Sequence, residues 1–182
     1  MASWADLLAE FETKQKPEEK QEWVKDQLIA SLANVGVRRG GRHVLFYSTA
    51  FLQKPQSKPN LLQITHEDIN GFMSTMYGMD WDKGLTLILH TPGGAGNATE
   101  TIVDYIHQKF QDFEVIIPTF AMSAGTMISL ASDRIVMGRQ SQLGPIDTQL
   151  VTSNKAVSAA AIVEQFGRAQ SDITGNLVMA HV

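Results

Sequence analysis

Trp4, Leu7, Leu8 and Phe11 recur at the three- and four-residue spacing of one helix face. A second set, Trp23, Val24, Leu28, Ile29 and Leu32, repeats it after Pro17, whose fixed φ suits the first turn of a new helix. Two amphipathic helices are therefore expected ahead of the core, their apolar stripes packing on the domain or on a neighbouring subunit. The polar faces are acidic as often as basic, which argues against a membrane-surface role. Beyond Gly40 and Gly41 the pattern changes: RHVLFYST reads as a strand, and QKPQSKPN (53–60) as a polar loop with two prolines. Thr65 is expected to open a helix through about Met76, with Asp68 three residues on in a capping-box arrangement.

From here strands and helices alternate. LTLILH (85–90), FEVIIPTF (113–120) and RIVMG (134–138) are short, almost wholly apolar runs. Between them, NATETIVDYIHQKF (97–110), with Asn97 as its cap, and SAGTMISLAS (123–132) carry helical periodicity. Strands apolar on both faces and separated by helices indicate parallel structure covered on both sides, so the fold class is α/β. The expected layout is a helical extension over residues 1–40 and one domain over 41–182. After SQLGPIDTQL, the polar TSNK leads into AVSAAAIVEQFGRAQ, helical in pattern, and the chain ends on the apolar LVMAHV. That ending reads either as a domain truncated at its C-terminus or as a segment that docks on a neighbour.

Composition narrows the partners. With 182 residues, 43% of them hydrophobic, the chain can bury one substantial core and is short for two full-sized domains. A net charge of −4 with no basic stripe gives nucleic acid nothing to bind. The absence of cysteine excludes disulfides and thiolate metal sites, and His43, His66, His107 and His181 have no ligand spacing, so neither metal nor other cofactor is expected. Acidic residues interrupt the N-terminal apolar runs well before membrane-spanning or signal-peptide length, so a soluble, cytoplasmic protein without a transmembrane segment is expected.

Two turns hold the candidate chemistry. In HTPGGAGN a strand runs into Pro-Gly-Gly and then a helix, exposing backbone N–H groups at the carboxyl end of the sheet, where open α/β folds place ligands. Such a loop suits an anion, an oxyanion or only a tight turn, and it lacks the Rossmann and Walker patterns. In FAMSAGTM, Ser123 stands where a strand passes to a helix. It can cap that helix, or it can serve as a nucleophile whose oxyanion is met by the N–H groups of Gly94 and Ala124. His90, beside the glycine turn, is either an alternative base or a hydrogen-bonded core histidine. Asp147 either orients a base or fixes the LGPID turn.

HTPGG, AMSAGTMISLASDRIVM and LGPIDTQL, in that order, resemble the serine dehydrogenase proteinase family, which belongs with signal peptide peptidase A in the ClpP/crotonase superfamily. The resemblance covers roughly residues 84–150. It implies a fold of repeated β-β-α units, homo-oligomeric assembly, and an ATP-independent serine peptidase acting on peptides or unfolded proteins. It maps the nucleophile onto Ser123 and the oxyanion donors onto Gly94 and Ala124. The histidine that ClpP-type relatives carry downstream is missing from GPIDTQ, whereas signal peptide peptidases use a lysine before a helix, a setting that matches Lys155. Lys155 would have to be neutral to act as base; otherwise it is a solvated lysine at a helix start. The competing functions for this architecture are an inactive scaffold or protein-binding module, and a coenzyme A thioester enzyme.

Overall fold

The computed structural model describes residues 3–146, 149–152, 155–158, 163–168 and 170–171. In chain order the elements are α1 (Trp4–Thr13), α2 (Pro17–Arg38), β1 (His43–Ser48), α3 (Asp68–Met76), β2 (Leu85–His90), α4 (Gly96–Lys109) and β3 (Phe113–Ile117). There follow β4 (Phe120–Ala121), α5 (Ala124–Leu130), β5 (Arg134–Met137), β6 (Gln142–Leu143), β7 (Gln149–Thr152) and β8 (Lys155–Ser158).

The apolar runs form a parallel sheet in the order β1-β2-β3-β5. Leu45, Leu87, Val115 and Ile135 align in one row across it. Leu85, Leu87 and Leu89 are fully buried, as are Ile102, Ile106 and Phe110 at α4 and its end. Each connection steps the same way across the sheet, and right-handed crossovers then stack α3, α4 and α5 on one face, where α4 touches both neighbours.

A second, shorter layer sits over the carboxyl ends of the strands. The run expected as one strand to Phe120 breaks at Pro118, which has no N–H for the ladder. The chain resumes as β4, which pairs in parallel with β6, while Thr91 bridges Ala121 and Ile64 bridges Gly94. Strand, bend, short strand and helix thus repeat, the expected β-β-α unit.

Other expectations shift at element ends. α3 starts at Asp68 rather than Thr65, because the Asp68 carboxylate turns back to accept from the Thr65 N–H at 2.7 Å. Asn97 lies inside α4, its Oδ1 accepting from the Ala98 N–H at 2.9 Å, and Ala95 holds the cap position. The helix expected from Ala156 onward is displaced: Lys155–Ser158 is strand, paired antiparallel with Gln149–Thr152, and helix is found at residues 163–168. Pairing with the β-branched and apolar β7 overrides the helix preference of Ala156.

α1 and α2 form as the periodicity indicates, α1 closed by a Ser3–Asp6 capping box. They pack on one another through Phe11 and Trp23, whose ring centres are 5.8 Å apart. Among the described residues no helix is long and apolar enough to cross a membrane.

The helical extension is tied to the amino end of the sheet by charge. Glu114, fully buried, is hydrogen-bonded by Arg39 through Nε (2.9 Å) and Nη2 and by the Thr86 hydroxyl at 3.1 Å. Arg42 donates to Thr86 Oγ1 at 3.0 Å, to the carbonyls of Leu85 and Asp112 at 2.8 Å, and to the Asp112 carboxylate. Burial by itself raises the Glu114 carboxyl's pKa, but the bonds from Arg39 and Thr86, with the nearby charges, outweigh it and leave the group below its ordinary 4.5. The pair therefore stabilises the fold above about pH 4.5 and ceases to do so as pH falls through the lowered value. Arg39→Met, which takes the main cation from a buried carboxylate, should lower the urea-unfolding midpoint at pH 7 and flatten the loss of stability below pH 4.5. An unchanged midpoint would show that Arg42 and Arg134 suffice.

Candidate functional site

The Pro-Gly-Gly turn and the Ser123 turn are adjacent because their strands are. Thr91 N–H donates to Phe120 O and Met122 N–H to Thr91 O, both at 3.0 Å, which sets the two turns in register. Gly93 then lies against the serine turn, with φ 105. A Cβ there would come within 2.7 Å of Met122 O and Ser123 Cβ and 3.1 Å of Ala124 N. Gly94 is pressed on its other side, where a Cβ would meet Ile64 O at 2.2 Å. Ile64 N–H donates to Gly93 O (2.8 Å) and Ile64 O accepts from Ala95 N–H (2.9 Å), so the N–H of Gly94 itself is turned away from Ile64. It finds no acceptor among the described residues, and neither does the N–H of Ala124.

Ser123 has φ 48 and ψ −114, the one positive φ outside glycine among the described residues. Such a backbone costs about 1–3 kcal/mol. The side chain gives nothing back to the helix: Oγ makes no capping hydrogen bond, and the residue is half-buried rather than sealed. The capping role open at the sequence level is thus not taken up. Thr126 locks the turn from behind, its buried hydroxyl lying 2.7 Å from Ala121 O and 2.9 Å from Gly144 O and accepting from Gly144 N–H at 3.1 Å.

His90 lies at the end of β2, where its Nδ1 is 2.8 Å from Thr119 Oγ1 and its ring is 5.0 Å from that of Phe51. Burial lowers its pKa, partly offset by the Phe120 backbone, so the imidazole is neutral near pH 7. It makes no hydrogen bond to Ser123, and its surroundings are those of the packed alternative. Lys155 is placed by its backbone, opposite Thr152 in the β7–β8 hairpin and not at a helix start. Asp147 lies outside the described residues. No metal-holding cluster of His, Asp or Glu occurs among the described residues. Ile64, Thr91 and Thr126 were missed in the sequence. Only Thr126, a hydroxyl in the first turn of an apolar helix, left a signal there.

The chain is 38% identical over 109 residues to the uncharacterized protein MJ0137 of Methanocaldococcus jannaschii, covering 60% of this chain and 38% of that protein. It is 36% identical over 105 residues to MJ1495 of the same organism, covering 58% and 35%. The chain thus spans less than two fifths of the length of these relatives. Among solved structures, a mutant of the 1510-N membrane-bound stomatin-specific protease superposes with TM-score 0.47 at 25% identity, over 59% of this chain and 55% of that one. A ClpP1 mutant from Listeria monocytogenes superposes with TM-score 0.38 at 20% identity, over 49% and 46%. The family match is wider, running from residue 54 to residue 182 and taking in both turns and the whole parallel sheet beyond β1; on that extent the chain belongs to the ClpP-like SDH-type serine proteinases.

Proposed function

We propose that the chain is a serine peptidase in which Ser123 Oγ attacks a peptide carbonyl. The observation that carries this reading is a strained serine whose hydroxyl has no hydrogen bond among the described residues, held against a glycine loop. Strain kept at a residue whose side chain serves no structural bond is better explained by chemistry than by folding. In the proposed reaction the hydroxyl proton passes to a neutral Lys155 amine as the C–O bond forms. The oxyanion is received by the N–H groups of Gly94 and Ala124. The lysine then returns the proton to the leaving amine, and water, activated by the same amine, releases the acyl group. The arginines cannot take this role, because guanidinium keeps its proton. Peptides or unfolded segments are the substrate class, since a half-open turn flanked by strand edges suits an extended chain, and the working form is a homo-oligomer.

A fluorophosphonate probe should label the wild-type chain and leave Ser123→Ala unlabelled, with peptide hydrolysis lost in that variant and its fold unchanged by circular dichroism. A coenzyme A enzyme or a scaffold would leave both chains unlabelled. Ser123→Gly should be equally inactive yet more stable than Ser123→Ala, by about 1 kcal/mol in chemical denaturation, because glycine accepts the positive φ. Equal stabilities would show that the turn stores no strain. Lys155→Met should lower kcat/KM at least ~100-fold, whereas His90→Asn should change it by less than about 10-fold. The reverse order would make the imidazole the base.

A further inference from the structure

A cavity of about 570 Å³ opens at the carboxyl end of β1, separate from the Ser123 turn. It is lined by the strand end at Tyr47–Ala50, by Leu61 and Leu62 just after Pro59, and by Gln63, Thr65, Glu67 and Asp68. We propose that this cavity is a substrate subsite that takes a lysine or arginine side chain of the bound peptide, about three residues from the bond cleaved at Ser123. The inference rests on the peptidase reading.

Position gives the spacing. Gln63 and Thr65 flank Ile64, which is bonded to the Gly93–Ala95 backbone, and Gly93 in turn touches Ser123. Two strand spacings of about 4.8 Å separate the cavity wall from the serine. An extended peptide covers that distance in about three residues.

Chemistry gives the side chain. Ala50, Leu61 and Leu62 offer an apolar channel for a methylene stem, and the charged head would meet carboxylates beyond it. Asp68 is held in place by the Thr65 N–H at 2.7 Å and the Thr65 hydroxyl at 3.1 Å. Burial, followed by the Asp68 charge and a hydrogen bond to it, raises the Tyr47 phenol's pKa, which keeps that hydroxyl a donor in the same wall. Both acids suit the amino end of α3, where the helix dipole favours them, but neither forms an ion pair among the described residues. Lys54 is the lining's one cation, against Glu67 and Asp68, so the cavity carries a net −1. A cationic side chain neutralises it; an anionic one would enter against two carboxylates. Thr49 Oγ1, also part of the lining residues, is buried without a hydrogen-bond partner among the described residues.

The test separates binding from turnover. In the full chain carrying Ser123→Ala, fluorescein-labelled alanine-rich octapeptides with a single Lys, norleucine or Glu are titrated by anisotropy at fixed salt, with and without Glu67→Lys. The Lys peptide should bind at least 10-fold tighter than the Glu peptide, and Glu67→Lys should erase or invert that order. Equal affinities, or a preference that survives Glu67→Lys, would overturn the assignment. In the active chain, sequencing of cleavage products should show Lys or Arg enriched about three residues from the cut. Cleavage without enrichment rejects the subsite and leaves the peptidase intact; Lys-selective binding with no cleavage rejects the peptidase reading and leaves a cation-selective peptide site.

Discussion

The close approach of Gly93 to Met122 O, Ser123 Cβ and Ala124 N is the constraint on which the site depends. Two neighbouring strand ends can meet this closely only where one of them has no side chain, since a Cβ would sit 2.7 Å from two heavy atoms of the other turn. The register bonds through Thr91 bring the turns level, and the Ile64 bridge holds the loop from its outer side. Because Ile64 takes the Gly93 carbonyl and the Ala95 N–H on one edge, and the Gly93 N–H goes to the Thr91 hydroxyl, the Gly94 N–H is the one group of this loop's backbone donors left without an acceptor among the described residues.

A turn of this kind must be prevented from relaxing. Ser123 could lose its strain by rotating toward an ordinary cap, but the helix that follows is packed in: Ala124, Gly125, Thr126, Ile128 and Ser129 are all buried. The Thr126 hydroxyl also ties Ala121, before the turn, to Gly144, after β6. One to three kcal/mol of local strain is small beside a core that fully buries Leu85, Leu87, Leu89, Ile102, Ile106, Phe110 and Phe113. Stability invested in the sheet and α4 is what permits an uncomfortable residue at the end of β4.

The chain pattern revealed most of this framework because the framework is hydrophobic. LTLILH reads as a buried strand and is one, RIVM forms the half-exposed edge strand β5, and the alternation with α4 and α5 gave the class. What stayed hidden was set by long-range pairing. Pro118 sits inside an apolar run: its missing N–H ends the ladder there, and the β4–β6 pairing is what carries the chain on in a second layer. Ala156 favours a helix locally, and the β7–β8 register, which pairs it with Val151 and Val157 with Leu150, decides otherwise. At the site, Ser123 was legible from its small neighbours and the following glycine. Its φ, and the engagement of His90 by Thr119, depend on residues that only the fold brings near.

The ion pairs of the sheet are gathered at one end of its strands. Arg39, Arg42, Arg134, Asp112 and Glu114 form one network at the amino ends of the strands. The carboxyl end, at the serine turn, is built from glycine, threonine and apolar side chains, with His90 already bonded elsewhere. The ion pairs that tie the sheet together thus lie at the opposite end of the strands from the serine turn. At the serine turn itself the tie is uncharged: the Thr126 hydroxyl holds Gly144, which lies against Met122, the residue before Ser123.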